Sequence, residues 1–419
     1  MSFLCLCFLS CSVTSQKSSR VSETRLWRPT GSISSHTTRN RWFKESWQRL
    51  PPLLLLSPLL LLPWSSSAFC ILDDEGDNCF CNFSAPEPKW DDIVICLSAL
   101  GVEILGGGHN LDTFLHKDIA DPRKAADVLR ALRLRRLKLK EALVPAPLLH
   151  QFLRALTYTR IKELALEDLV ISHPPLQPRS PIDGDLTLTV LNLSRVSLAG
   201  ESNLLASIGP WLKPGLKALS LTGLGLSNVP CTDLDTFKEL NSLDLSDNPE
   251  IGESGLTSAS CFKDFRALRD LALRNTSLQS LGQVCRGLEA TGTNVQRLDI
   301  SYNELKATPS TQCTWPPTLI SLNLSHMKLK CVPTPLPTKL QQLDLSYNLL
   351  TKRPELPQET ELILEGNPFA SSGVPDKLQG EQAPDDCNVS SRAPKSLGTL
   401  LALQVSAILA LLRGVRGFA

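Results

Sequence analysis

A leucine pattern that recurs through most of the chain limits its possible folds more than any other feature. The spacing Leu-x2-Leu-x-Leu or a close variant occurs ten times, and its second position falls at residues 137, 164, 191, 219, 243, 271, 298, 322, 343 and 362. All intervals but the last lie within the 20–29 residues of leucine-rich repeats. Both leucines of Leu-x-Leu point to one face of a strand, so stacked strands build a continuous core. The sequence predicts an α/β solenoid, a horseshoe with a parallel concave sheet and irregular convex helices and loops.

The residues between the repeats refine this prediction. Asn248, Asn303, Asn348 and Asn367 occupy the ninth position of their copies. There an asparagine amide can satisfy backbone groups at the turn. The longer repeats leave room for convex helices, for example around residues 146–156.

Four cysteines lie between residues 70 and 96, just upstream of the first repeat, where a solenoid needs a cap over its exposed core. Cys70, Cys79, Cys81 and Cys96 predict a disulfide-bonded N-terminal cap, with three pairings possible. A zinc site is the alternative, but the paired C-x2-C spacing of zinc sites is missing. We therefore expect no metal, and an extra strand around Val102 between the cap and the first repeat.

Residues 50–68 have the order of a secretory signal peptide. Basic residues precede a leucine-rich stretch, and small residues lead to a cleavage position after Ala68. A buried helix is the alternative reading, and four prolines in this region argue against it. Residues 1–49 lie upstream of this signal and are predicted to be an extension that the mature protein lacks.

The C-terminal end predicts a glycolipid (GPI) anchor. An apolar run, residues 397–412, follows a short spacer after Asn388, the expected attachment residue. A single spanning helix with a basic end is the alternative. We therefore expect a cap with the first strand at 69–121, repeats at 122–370, a stalk at 371–388 and an anchor propeptide at 389–419. The expected location is the extracellular face of the plasma membrane, with a soluble secreted form also possible.

The formal net charge of +1 conceals an acidic ectodomain. Residues 1–68 and 389–419 hold twelve of the 43 basic residues but only two of the 42 acidic ones, so their removal leaves a net charge of −9. This balance disfavours a nucleic-acid partner. The histidines form no metal-protease motif, and the glycine-rich stretches lack the spacing of a phosphate loop or a nucleophile elbow. We expect no catalytic residue, no enzyme activity and no cofactor.

The predicted concave face offers little to a ligand. The outward positions that flank each Leu-x-Leu include no aromatic residue, so the usual anchors of a protein hot spot are missing. Glycans at two sequons on this face would also obstruct it. The expected glycosylation sites are Asn82, Asn192, Asn275 and Asn323.

The N-terminal end is the more promising ligand site because it contains more apolar side chains than one strand needs. Core beneath the cap is the alternative reading of the same residues. The candidate pocket residues are Leu97, Val102, Ile104, Leu111, Phe114, Leu115, Val128, Leu129, Leu132 and Phe152. A dense basic run, residues 123–140, follows and could contact a phosphorylated amphiphile. The candidate rim residues are Asp73, Asp74, Glu75, Asp121, Arg123, Lys124, Arg136 and Lys138.

From residue 70 to its end the chain resembles the monocyte differentiation antigens, the glycolipid-anchored lipopolysaccharide co-receptors of the leucine-rich-repeat superfamily. The resemblance rests on short stretches along the whole mature chain. They are Leu72-Asp73-Asp74-Glu75, Cys79-Phe80-Cys81-Asn82-Phe83-Ser84, Ala120-Asp121-Pro122-Arg123, Leu134-Arg135-Arg136-Leu137, Trp211-Leu212-Lys213-Pro214-Gly215-Leu216-Lys217, Leu243-Asp244-Leu245-Ser246-Asp247-Asn248-Pro249 and Leu273-Arg274-Asn275-Thr276.

The resemblance implies a pattern-recognition co-receptor with a hydrophobic N-terminal pocket, often a homodimer. Such a protein receives lipopolysaccharide from a serum transfer protein and passes it to a Toll-like receptor with its lipid-binding accessory protein. Its ligand-associated segments would be 73–77, 118–125 and 153–163. The implied disulfides are Cys70–Cys81, Cys79–Cys96, Cys231–Cys261 and Cys285–Cys313. Tyr347 stands where the family implies a cysteine, which leaves Cys331 and Cys387 without assigned partners.

Two other classes of leucine-rich-repeat protein remain as alternatives. An extracellular adhesion or matrix-binding protein is disfavoured because small matrix proteoglycans have a tighter cysteine cap and lack an anchor signal. An intracellular inhibitor is disfavoured by the signal peptide and the sequons.

Overall fold

The computed structural model describes residues 69–86, 88–107, 111, 126–172, 184–198, 204–258, 260–291, 294–305, 315–333, 336–354 and 360–371. The predicted extension, the signal peptide and the anchor signal with Asn388 lie outside this part of the chain.

Within the described residues, thirteen strands form one sheet. In the order in which they lie in the sheet, they are β1 Cys70–Leu72, β2 Asn78–Phe83, β3 Gly101–Gly106, β4 Arg136–Lys140, β6 Glu163–Glu167, β8 Val190–Ser194, β10 Ala218–Thr222, β11 Ser242–Asp244, β12 Asp270–Ala272, β13 Arg297–Asp299, β14 Ser321–Asn323, β15 Gln342–Asp344 and β16 Glu361–Ile363. Only β1 and β2 pair antiparallel; every later pair is parallel.

The convex side is irregular, as the sequence predicts. Three short strands form a second parallel sheet, β5 Leu143–Pro145, β7 Val170–Ser172 and β9 Ser197–Leu198. The α-helices are α1 Ala126–Ala131, α2 Ala146–Leu156, α3 Leu204–Ile208, α4 Cys231–Leu234, α5 Gly252–Thr257, α6 Leu281–Thr291 and α7 Pro368–Ser371, and 3-10 helices lie at Trp90–Ser98, Gly209–Trp211 and Ser260–Asp264. No helix in the described part of the chain combines the length and the apolar character that a bilayer span requires.

The repeat leucines stack in register along the sheet. Leu137 is paired with Leu164, which is paired in turn with Leu191, and the same column continues to Leu362. Leu164 and Leu191 are 1% and 0% exposed. The period of two thus directs each Leu-x-Leu into one core, and the leucine-rich-repeat prediction is confirmed.

The cap closes the first end of this core. Strand β1 lies antiparallel on β2, and β2 lies parallel on β3, the strand expected around Val102. The disulfides Cys70–Cys81 and Cys79–Cys96 join the cap strands to each other and to the helix Trp90–Ser98. They are the two cap pairs that the resemblance implies.

Further disulfides tie the convex side of the later repeats. Cys231 on α4 is bonded to Cys261, again the implied pair. Cys285 on α6 is also disulfide-bonded, whereas its expected partner Cys313 lies outside the described residues. Cys331, which sequence analysis left without a partner, is disulfide-bonded as well.

The ninth-position asparagines form a buried ladder at the turns. Asn248 is 0% exposed, and its Oδ1 accepts hydrogen bonds from the backbone N–H groups of Leu224 (2.9 Å) and Leu226 (3.1 Å). Its Nδ2 donates to the carbonyls of Leu221 and Leu245. Asn303 and Asn348 repeat this pattern two and four copies later. Each asparagine therefore fastens the turn of the preceding repeat to its own.

We expect Asn248→Ala to lower the free energy of unfolding by about 2–4 kcal/mol, because two buried carbonyls lose their donor and two partly buried N–H groups lose their acceptor. Asn241→Ala is the matched control, since Asn241 is exposed and should change stability by no more than about 0.5 kcal/mol. Denaturant unfolding of both variants measures the difference. Equal stability of the two variants would contradict the ladder's role.

Candidate ligand pocket

An apolar pocket opens between the main sheet and the convex side near the N-terminal end. Its cavity volume is about 40 Å³. Side chains from β3, β4, β5 and α2 line it, together with residues of the connecting loops. The lining residues are Ile104, Gly106, Leu111, Leu139, Ala142, Val144, Leu148, Leu149 and Phe152.

Helix α2 supplies the wall opposite the sheet. Pro147 lies in its first turn, where a missing N–H costs nothing, and the helix runs for eleven residues. Leu148, Leu149 and Phe152 fall on one face at helical spacing, and all three are at most 2% exposed. The helix therefore buries its apolar face against the sheet.

Gly106 shapes the pocket at the end of β3. Its φ of +80° lies in the left-handed region, and a Cβ there would come within 2.5 Å of Ser84 Oγ and 2.7 Å of the Ser84 nitrogen. Only glycine fits such a position without displacing backbone. The close approach of the cap thus requires this glycine.

Leu139 marks where the core is incompletely filled. Its counterparts in the next two repeats, Leu166 and Leu193, are 0% exposed, whereas Leu139 is only partly buried because it faces the pocket. Leu139 therefore follows the repeat pattern in sequence, but its side chain is less tightly packed than those of Leu166 and Leu193.

The structure brings together only part of the predicted pocket set. Ile104, Leu111 and Phe152 line the pocket. Phe114 and Leu115 lie outside the described residues. The remaining five do not line the pocket. Leu97 packs on the main core, and Val102 borders a groove on the concave side of the sheet. Leu129 and Leu132 form a small cluster with Ala155 and Tyr158, and Val128 is 43% exposed.

The candidate set lacks six residues that line the pocket, namely Gly106, Leu139, Ala142, Val144, Leu148 and Leu149. Leu139 is a repeat leucine by its spacing, and the last four follow the turn after β4. The signal available was the density of apolar residues on both sides of this turn, between residues 137 and 153.

The predicted basic rim does not border this pocket in the described part of the chain. Arg136 and Lys138 alternate with Leu137 and Leu139 on β4, so they face the concave side. Arg136 Nη2 donates to Asn78 Oδ1 at 2.8 Å, and Lys138 Nζ lies 2.9 Å from Glu167 Oε1. Both cations are therefore held by partners away from the apolar lining. Asp121, Arg123 and Lys124 lie outside the described residues.

The acidic rim residues Asp73, Asp74 and Glu75 lie in the turn between β1 and β2, and Asp74 and Glu75 are exposed. Asp73 Oδ1 accepts from the Asp77 N–H at 2.8 Å, and its Oδ2 accepts from Asn78 Nδ2 at 2.7 Å. Hydrogen bonds from the backbone and then the side chain of Asn78 hold the pKa of Asp73 below its usual value. The carboxylate thus organises this turn.

Three of the four sequons lie on strands of the main sheet, and the fourth, at Asn275, lies in a turn. Asn192 and Asn323 lie on the concave strands β8 and β14, where Asn192 Nδ2 donates to Glu167 and Asn323 Oδ1 accepts from the Ser325 N–H. Asn82 and Asn275 are exposed. Glycans at the first pair would cover the concave face, as the sequence suggested.

Three cap sulfurs, from Cys70, Cys81 and Cys96, lie within 4.8 Å of one another. Metal binding requires thiolates. Since all three sulfurs belong to disulfides, this cluster is a covalent cap and not a metal site.

Comparison with known proteins gives close relatives over nearly the whole chain. The chain is 44% identical over 376 residues to "Monocyte differentiation antigen CD14" of Bos taurus, covering 88% of this chain and 98% of that protein. Identity to the Homo sapiens protein of the same name is 45% over 378 residues, with the same two coverages. "Toll-like receptor 2" of Equus caballus is 30% identical over 260 residues, which cover 61% of this chain and 32% of that protein.

A solved structure described as "Crystal structure of TLR13-ssRNA13 complex" matches with a TM-score of 0.40 and 19% identity, over 68% of this chain and 43% of that chain. No protein-family model matches.

We expect Phe152→Ala to destabilise the protein by about 3–5 kcal/mol, because it empties a fully buried site beside an existing void. Phe80→Ala is the matched control, since Phe80 is 41% exposed and its loss should cost about 1 kcal/mol or less. Denaturant midpoints of both variants report the difference. If Phe152→Ala were no more destabilising than the control, the described packing of α2 would be contradicted.

The lowered pKa of Asp73 predicts a pH dependence of the β1–β2 turn. A depressed folded-state pKa stabilises the turn above the unfolded value of about 3.9, and this contribution disappears as the pH falls through the folded value. Amide exchange in residues 73–78 should therefore accelerate on acidification below about pH 4, beyond its intrinsic pH dependence. In Asp73→Ala this additional change should be absent; its persistence would argue against the assignment.

Proposed function

Because the chain belongs to the monocyte differentiation antigen CD14 family, we propose that it is a pattern-recognition co-receptor for bacterial lipopolysaccharide and other acylated ligands. The ligand binds in the N-terminal apolar pocket and is transferred to a Toll-like receptor complex, which triggers innate immune and inflammatory signalling. The protein moves its ligand and catalyses no reaction.

The apolar pocket is the observation that carries this proposal. Among the described residues, its lining consists of aliphatic side chains, one phenylalanine and a glycine, so this lining suits hydrocarbon and includes no polar side chain that would orient a sugar or a peptide. Each methylene buried from water contributes about 0.8 kcal/mol. Several acyl carbons could therefore supply affinity without a charged contact.

The proposed partners extend from the same family membership. We propose that a serum lipopolysaccharide-binding transfer protein supplies the ligand and that a Toll-like receptor with its lipid-binding accessory protein receives it. The similarity to a Toll-like receptor supports a place in innate immunity. We also propose that the protein forms a homodimer. It is held at the extracellular face of the plasma membrane by a GPI anchor, or it is released as a soluble secreted form.

We expect Val144→Phe to weaken lipopolysaccharide binding at least about tenfold, because the added ring takes the space of two or more methylenes. Val170→Phe is the matched control: Val170 lies on the neighbouring strand β7 but is 48% exposed, whereas Val144 is 6% exposed and lines the pocket. Binding of each purified variant to lipopolysaccharide is measured by titration, with circular dichroism to establish the fold.

Unchanged binding by a folded Val144→Phe variant would exclude the pocket as the lipid site. No lipopolysaccharide binding by the wild-type ectodomain would instead favour the second candidate, an extracellular adhesion or matrix-binding protein. The two outcomes are distinguishable because one concerns the variant alone and the other concerns the unaltered chain.

A further inference from the structure

A column of residues with positive φ runs along the turns that follow the strands of the main sheet. These residues carry the same backbone conformation from one repeat to the next. The column consists of Glu141, Asp168, Arg195, Gly223, Asp247, Asn275, Tyr302, His326, Tyr347 and Gly366, with φ between 49° and 72°. Left-handed backbone is uncommon for residues other than glycine, so the identities in this column need an explanation.

In the N-terminal half of the column, neighbours pair by charge and hydrogen bonding. Arg195 binds Asp168 through Nη2 at 2.8 Å, and this bond lowers the pKa of Asp168. Asn275 Nδ2 donates to Asp247 Oδ1 at 3.0 Å. Side chains of the column thus contact those of the neighbouring repeat.

The C-terminal half carries stacked rings, which we call the aromatic row: Tyr302, His326 and Tyr347. The ring centroids of Tyr302 and His326 are 4.2 Å apart, those of His326 and Tyr347 are 4.5 Å apart, and the planes deviate by about 10°. Arg274 covers the other face of Tyr302 at 5.3 Å. Because the faces are covered by neighbours, the row presents ring edges and polar tips to solvent. Tyr302 and Tyr347 are 48% and 49% exposed.

The sequon at Asn275 immediately precedes this row in the column. The Asn275 N–H donates to the carbonyl of Ser301, and the Tyr302 N–H donates to that of Ser325, so the two residues are one repeat step apart. That step is about 4.8 Å in a sheet. Since Asn275 and Tyr302 share nearly the same φ, 50° and 58°, their side chains leave the turn in similar directions.

We propose that an N-glycan on Asn275 lies along the aromatic row and is held by it. The first sugar lies beside Arg274 and Tyr302, and the following sugars pass His326 and Tyr347, because a pyranose is about as long as one repeat step. N-glycosylation replaces one amide hydrogen of Asn275, so the other can keep the bond to Asp247 and fix the stem.

The exposed edge of the row has the chemistry that a carbohydrate needs. The Tyr347 hydroxyl donates to Glu365 Oε1 at 3.3 Å, so its oxygen remains available as an acceptor, whereas the Tyr302 hydroxyl can donate and accept. The imidazole does both when neutral, and the Arg274 guanidinium donates to sugar oxygens. A glycan rooted one step away is bulky and excludes a close protein partner from the row. The proposal thus assigns the row to carbohydrate of the same chain.

The chain contains only three tyrosines, so tyrosine-selective isotope labelling gives a simple NMR spectrum. The secreted protein is produced in mammalian cells, and mass spectrometry first measures glycan occupancy at Asn275. Ser277→Ala abolishes the sequon while leaving Asn275 and its bond to Asp247 unchanged. We expect the ring signals of Tyr302 and Tyr347 to differ between wild type and this variant, whereas Tyr158, which packs near α1, should not shift.

A second measurement follows the release of the glycan by peptide N-glycosidase under native conditions. With Tyr302→Ser and Tyr347→Ser together, release from Asn275 should become at least about threefold faster, while release from Asn82 should keep its rate and report an intact fold. An unoccupied Asn275 would overturn the proposal. So would ring signals that are identical with and without the sequon, or release rates that do not depend on the two tyrosines.

Discussion

The in-register stacking of the Leu-x-Leu strands is the constraint on which the rest of the structure depends. Because strand side chains alternate, fixing Leu137, Leu164 and Leu191 in one column fixes the facing of every neighbouring residue. Arg136 and Lys138 must then lie on the concave side. The asparagine ladder and the disulfides secure the turns, but the leucines decide which surface each residue reaches.

The pocket is a local departure from this packing. Later repeats fill their own core, as the complete burial of Leu166 and Leu193 shows, whereas Leu139 faces a space between sheet and helix. The cap covers this end of the solenoid and is held together by two disulfides. At Gly106 the backbone of β3 passes so near Ser84 of the cap that no side chain would fit between them. A small apolar space thus remains beneath α2, although Val144, Leu149 and Phe152 in its lining are themselves buried.

The sequence predicted the fold closely and the pocket partly. Periodicity identified the repeat strands and the extra strand at Val102, because each depends on the local spacing of apolar residues, and the length of the early repeats left room for helix α2. It could not separate Leu97 or Leu129, which pack elsewhere, from Ile104 and Phe152, because apolar density does not specify which side chains leave space between them. The basic run misled for a related reason: it was read as one cluster, although strand alternation places Arg136 and Lys138 opposite the apolar lining.

The sequence shows that Tyr347 departs from the family pattern, but it does not show which residue the tyrosine contacts. Tyr347 replaces an expected cysteine, and in the fold it stacks on His326, which lies in a neighbouring turn of the same column. Stacking between residues some twenty positions apart becomes apparent only once the repeat register is known. The same register brings the sequon at Asn275 next to Tyr302.

The central claim is that acyl chains enter the pocket beneath α2 and not the concave groove. Photoactivated crosslinking with a lipid whose acyl chain carries the reactive group tests this most directly. The account predicts label on peptides that contain residues 104–111 and 142–152. Label confined to the concave strands, for example to residues 163–167 and 190–194, would contradict it.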